Sequence, residues 1–176
     1  MKNRNDSPLF QRGASLIVVL ILLLLMTLLG LAVLRNTTLE ERMSANLYDR
    51  SLGFQAAESA LRQGEALANA TLVSSVPSTG CTNGVCSTPV ATNADRWLDT
   101  SFNSWRSAAN NLAETGVPMP NARYIIEYMG TAPTWPGCDR KFPIDAQCLA
   151  PRFRITALAD PEGRATVMLQ TNYIVQ

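Results

Sequence analysis

The chain has 176 residues, enough for one modest domain and an anchor but short of two full domains. It contains no histidine, which removes the commonest general base, the usual metal ligand and the ordinary switch near neutral pH. Of 15 basic and 14 acidic residues, Lys2, Arg4, Arg12 and Asp6 lie in the first thirteen positions; the other 12 and 13 nearly cancel, which excludes a general electrostatic pull on nucleic acid or anionic lipid.

Residues 1–13, MKNRNDSPLFQRG, form a short polar, basic leader ending in glycine. The block that follows, residues 14–34, carries no charge, and about 21 apolar residues suffice to cross a hydrocarbon core. A plain signal anchor has the same block, and Gly30-Leu31-Ala32 resembles a weak signal-peptidase site. The block nevertheless exceeds the usual secretory core of roughly 7–15 residues. Flanking charge does not orient the span, because Lys2, Arg4 and Arg12 face Arg35, Arg42 and Arg50.

Residues 35–70 contain no proline and are rich in helix formers. Leu39, Met43, Leu47, Phe54 and Leu61 recur at spacings that give one apolar stripe. Glu40, Glu41, Arg42, Asp49, Arg50, Glu58 and Arg62 occupy the opposite face. With no proline between Pro8 and Pro77, the span and this stretch are expected to form one helix of roughly 85 Å at 1.5 Å per residue. Gly30, Gly53 and Gly64 are the points where it could bend.

Residues 71–95 turn to Ser, Thr, Asn, Pro and Gly, a loop holding Cys81 and Cys86. A short helix is expected over residues 95–113, although Trp97, Phe102 and Trp105 form no clean stripe. Strands are expected over residues 124–128, 153–159 and 165–175, the last alternating through Val167, Leu169, Thr171, Tyr173 and Val175. The turn Asp160-Pro161-Glu162-Gly163 joins the last two as an antiparallel hairpin. Such a sheet needs a partner, and the amphipathic half of the helix supplies it.

The four cysteines, Cys81, Cys86, Cys138 and Cys148, permit three pairings, and sequence alone does not choose among them. All lie beyond the apolar block in loop-like sequence, which suits an oxidising compartment. Local pairing, Cys81 with Cys86 and Cys138 with Cys148, is the favoured arrangement. A zinc site or a redox pair would call for tighter spacing or histidine. The enclosed run Asp139-Arg140-Lys141-Phe142-Pro143 reads either as a recognition loop or as a solvated charged face. Asp139 with Asp145, or Asp95 with Asp99, could pair as catalytic acids, but scattered surface carboxylates are the commoner case. Trp97, Trp105 and Trp135 could stack bases or sugars, though packing is the commoner role for tryptophan in so small a domain. No cofactor motif and no phosphate-binding glycine loop appears.

A basic leader ending in glycine, then a long apolar helix and a β-rich outer domain, resembles the prepilin class. Within it, Leu39-Glu40-Glu41-Arg42-Met43-Ser44-Ala45-Asn46, Asp49-Arg50 and Phe54-Gln55-Ala56-Ala57-Glu58 are similar to the N-terminal region of PilX-type minor pilins of type IV pili. The two likenesses span residues 1–65; the remainder matches no motif.

The resemblance implies an α+β, pilin-like fold: a long N-terminal helix, transmembrane then amphipathic, packed on a small antiparallel sheet. It divides the chain into a leader (1–13), a membrane-spanning segment (14–34), an amphipathic continuation (35–70) and a disulfide-containing β-rich pilin domain (71–176). It implies that a prepilin peptidase cuts between Gly13 and Ala14 and methylates Ala14, although many pilins have phenylalanine at that first mature position. The implied partners are other minor pilins and the major pilin through the N-terminal helix, the inner membrane and the pilus assembly platform. The N-terminus would be cytoplasmic before assembly, and the subunit would reach the filament surface afterwards.

Val18 stands fifth after the implied cut, where most pilins carry a glutamate thought to pair with the amino terminus of a preceding subunit. A subunit with no predecessor needs no such partner, which suggests a tip or initiation complex. The expected role is therefore a non-enzymatic assembly subunit supporting pilus biogenesis, twitching motility and adhesion. The alternatives are a minor pseudopilin of type II secretion, a receptor-type minor pilin binding DNA or surfaces, and a membrane-tethered periplasmic enzyme. The balance of eight basic and eight acidic residues from position 71 on argues against nucleic acid as a partner.

Overall fold

The computed structural model describes residues 14–109 and 120–175. Its main helix, α1, runs Ala14–Ala70, followed by a 3-10 turn at Val73–Ser75. Strands β1 (Cys81–Thr82), β2 (Val85–Cys86), β3 (Arg106–Ser107), β4 (Ala122–Pro133), β5 (Leu149–Ala159) and β6 (Val167–Ile174) follow, with a second 3-10 turn at Cys138–Arg140. The chain forms two compact units, residues 1–45 and 46–176. In the first, the side chains of residues 15–45 are exposed along the helix.

In the second unit the outer part of α1 packs on one sheet ordered β1-β2-β4-β5-β6, with β3 also pairing β4. The architecture is α+β and pilin-like. The sheet is antiparallel except that β2 runs parallel to β4. The three expected strands are present: β4 and β5 extend beyond residues 124–128 and 153–159, whereas β6 falls within residues 165–175, and β5 pairs with β6 across the Asp160–Gly163 turn. There Arg164 N–H donates to Pro161 O at 3.3 Å.

Two expectations are corrected. Residues 95–109 form turns and strand β3 rather than a helix, and residues 110–113 lie outside the described residues. The aromatic side chains of this stretch serve as a cover on the sheet, which needs no helical periodicity. The apolar stripe also misplaces the packing face: of its five members only Leu61 is buried (7% exposed), while Leu39, Met43, Leu47 and Phe54 are exposed.

The face that meets the sheet is lined instead by Leu52, Gly53, Ala56, Ala57, Ala60, Leu61, Gly64 and Ala68. Small residues at steps of three and four let the helix backbone approach the strands closely. A Cβ on Gly64 would lie 2.5 Å from Ile155 Cγ2 and 3.3 Å from Tyr124 Cδ2. One on Gly53 would lie 3.0 Å from Val167 Cγ2. Both glycines, read from sequence as bending points, are thus places where helix and sheet touch. Opposite them sit Tyr124 and Ile126 of β4 and Phe153, Ile155 and Ala157 of β5, all buried.

The hairpin β1–β2 turns at Asn83-Gly84, both with positive φ (49° and 82°), as a two-residue hairpin requires. That Asn-Gly pair is a hairpin signal inside a stretch read only as loop. Gly84 O then accepts from Ile126 N–H at 2.8 Å, tying the hairpin to the central strand.

Candidate functional site

The N-terminal half of α1 is the first functional feature. It is the one helix among the described residues long and apolar enough to cross a membrane, and none of its most apolar window is buried. Val18 lies within it, 55% exposed. Ala14 is helical and is the first described residue; Gly13 and the residues before it lie outside the described residues. Further along, Leu47, Tyr48 and Phe54 leave an uncovered apolar surface on the second unit.

The cysteines form two bonded pairs. Cys81 and Cys86 bridge the β1–β2 hairpin, with a Cα separation of 4.0 Å. Cys138 and Cys148 close the connection between β4 and β5 at 5.5 Å. Both Cys138 and Cys148 are buried at the base of that loop, while Phe142 at its tip is 99% exposed. Thr134 Oγ donates to Gln147 O at 3.0 Å, and Asp145 Oδ1 accepts from Gln147 N–H at 2.9 Å, bracing the loop from within.

On the face of the sheet opposite α1 lies a charge cluster the sequence reading did not single out. Glu127, in the middle of β4, is fully buried. Its Oε1 accepts from Arg96 and its Oε2 from Arg154 Nε at 2.9 Å. Arg96 also donates to Ser87 O at 3.0 Å, and the Arg154 guanidinium lies over the Trp97 ring at 4.2 Å. A buried carboxylate is tolerable only when paired and hydrogen-bonded, and here both oxygens are used. The signal in the sequence was a glutamate inside the apolar run Tyr124–Tyr128, facing Arg154 across the ladder.

The remaining candidates disperse. Trp105 meets Phe102 edge-on at 5.8 Å and lies 5.1 Å from the Arg123 guanidinium, so it too packs within the domain. Trp135 is 43% exposed. Asp95 sits 4.0 Å from Arg154. Asp99 accepts from the Ser101 hydroxyl and backbone N–H, which hold its carboxyl below the ordinary value. Asp139 lies in the 3-10 turn of the loop. No group of three or more His, Cys, Asp or Glu that could hold a metal occurs among the described residues. A cleft of about 1100 Å³ opens beside the hairpin, with Arg96, Asp99, Phe102 and Met129 in its wall.

A span-length apolar helix continuing into an α+β domain is a pilin-like arrangement, consistent with membrane anchoring. Residues 12–62 match the family model described as PilX N-terminal, which supports a PilX-type type IV pilin. That family consists of structural pilus subunits and is not known as a family of enzymes. No curated protein and no solved structure matches the chain.

Proposed function

We propose that the chain is a minor pilin of the type IV pilus, an assembly subunit held in the inner membrane by the first part of α1. The observation that carries this reading is the coincidence of the family match, residues 12–62, with the apolar span and the start of the sheet-packed helix. In this reading residues 1–13 are a leader cut by prepilin peptidase after Gly13, and Ala14 becomes the methylated mature N-terminus. Residues 14–34 cross the membrane with the N-terminus cytoplasmic. Residues 35–70 contact other minor pilins and the major pilin, and residues 71–176 form the outer domain.

Val18 favours a place at the filament tip or in an initiating complex. A carboxylate left unpaired in an apolar filament core costs several kcal/mol, and valine avoids that cost where no preceding subunit offers its amino terminus. An epitope-tagged chain is expected in sheared filaments as well as in membranes, with gold label at filament ends. Label distributed along the shaft contradicts the tip position; absence from every filament preparation contradicts the pilin reading itself.

A further inference from the structure

The two disulfides differ in what a reductant can reach and in what they hold. Cys86, Cys138 and Cys148 are buried, whereas Cys81 in β1 is only half-buried. Thiol–disulfide exchange requires an incoming thiolate to reach a sulfur, so access decides which bond yields first. Of the two bonds, Cys81–Cys86 alone includes a cysteine that is not buried.

That bond also sits where the cover of the sheet is fastened. Strands β1 and β2 have two residues each, a hairpin too short to hold by itself. The rung beside the disulfide joins Gly80 to Ser87: Gly80 O accepts from Ser87 N–H at 2.9 Å and from the Ser87 hydroxyl at 3.1 Å. Ser87 then seats Arg96, whose Nη1 donates to Ser87 O at 3.0 Å and whose Nη2 donates to Ser87 Oγ at 3.2 Å. Arg96 in turn is one of the two cations that neutralise buried Glu127, the residue that Cys86 faces in the ladder. A continuous line of contacts therefore runs from the disulfide through Ser87 and Arg96 to Glu127. Arg96 and Trp97 belong to the segment that covers the sheet, and Trp97 is seated on Arg154. The Cys138–Cys148 loop is instead braced from within, by Thr134 and Asp145.

We infer that the Cys81–Cys86 bond is a redox-sensitive latch. A dithiol reductant opens it first, and its opening frees residues 88–105 from the sheet while Cys138–Cys148 stays closed. A thiolate of the reductant attacks Cys81 Sγ, the bond to Cys86 breaks, and Cys86 leaves as a thiolate that takes up a proton. The second thiol of the reductant then attacks the mixed disulfide, closing its own disulfide and releasing Cys81 as a thiol. The protein gains two electrons and two protons, and the dithiol is oxidised by the same amount. With β1 released, Gly80 O no longer anchors Ser87, and Arg96 loses the seat that aims it at Glu127. Residues 82–85 alone separate the two cysteines, so ring closure costs little entropy and oxidation shuts the latch again.

The test uses the full chain in detergent micelles with Trp135→Phe, which removes the exposed tryptophan outside the cover. Dithiothreitol is raised in steps, free thiols are trapped with iodoacetamide and located by mass spectrometry, and tryptophan emission is recorded. Cys81 and Cys86 are expected to be trapped roughly tenfold faster than Cys138 and Cys148. Emission from Trp97 and Trp105 should shift to the red in step with them, and should return when an untrapped sample is re-oxidised. Ser87→Ala leaves both disulfides intact and cuts the hydroxyl link between Gly80 and Arg96; it should give part of that shift without reductant. Trapping of Cys138 or Cys148 first, or of all four together, overturns the inference. So does trapping of Cys81 and Cys86 with no change in emission, an unshifted Ser87→Ala chain, or a chain that unfolds before any cysteine is trapped. None of these outcomes depends on leader cleavage or filament assembly, so the inference and the pilin reading fail separately.

Discussion

Gly64 shows how one side chain's absence sets the distance between helix and sheet. Alanine there gains about 1 kcal/mol of helix propensity but presses a methyl into Ile155, a stiff, fully buried neighbour. Overpacking of this kind costs about 1–3 kcal/mol, so Gly64→Ala is expected to destabilise the outer domain by about 1 kcal/mol net in urea denaturation. Gly30, with nothing within 4 Å of its would-be Cβ, should tolerate the same change without loss. Glu127 is the opposite case, a large polar group that the fold cannot lose. Glu127→Ala leaves Arg96 and Arg154, each only 17% exposed, without their shared carboxylate. Breaking a buried ion pair from one side costs about 3–5 kcal/mol, which the same denaturation experiment should record. Replacing Glu127 together with both arginines by apolar residues should cost less than the single change.

Among the elements, the strands were legible because period-two alternation survives burial of one face: Tyr124, Ile126, Phe153 and Ile155 all point to α1 as the pattern requires. The hairpin at Asn83-Gly84 carries an equally clear signal, an Asn-Gly pair inside a polar stretch. Residues 95–109 were not legible, because Trp97 and Trp105 answer to arginines on the sheet, Arg154 and Arg123, rather than to a helical repeat. The helix was legible as a helix and misread as to face, since large apolar residues draw the eye while alanine and glycine make the contact. Gln63 illustrates the same blindness: it donates to Ala109 O at 2.9 Å and accepts from Ala109 N–H at 2.7 Å, a two-way clasp no local pattern announces. The misread stripe has a consequence for assembly. Leu47→Asp and Phe54→Asp alter exposed positions and should leave the outer domain's denaturation midpoint unchanged while lowering recovery of the chain in sheared filaments. Leu61→Asp, on the buried face, should instead unfold the domain. If the two exposed variants assemble normally, the stripe is not a subunit contact.

At the scale of the whole molecule, the helix divides its labour along its length. Within the first unit, residues 16–34 expose an almost entirely apolar set of side chains, a surface that suits lipid or neighbouring helices. The second buries a small-residue face under a sheet whose far side is closed by Arg96, Trp97 and Trp105. The outer domain therefore has its own core, its own disulfides and its own polar clamp, while α1 extends beyond what that core requires. Under the proposed function this helix serves assembly, a reading in keeping with the family match over residues 12–62. In that function, cleavage after Gly13 would convert an anchored precursor into a filament subunit. The most direct measurement is the mass of the mature N-terminal peptide from membranes. The account predicts a chain that begins at methylated Ala14; a chain that begins at Met1, or one cut after Ala32, contradicts it.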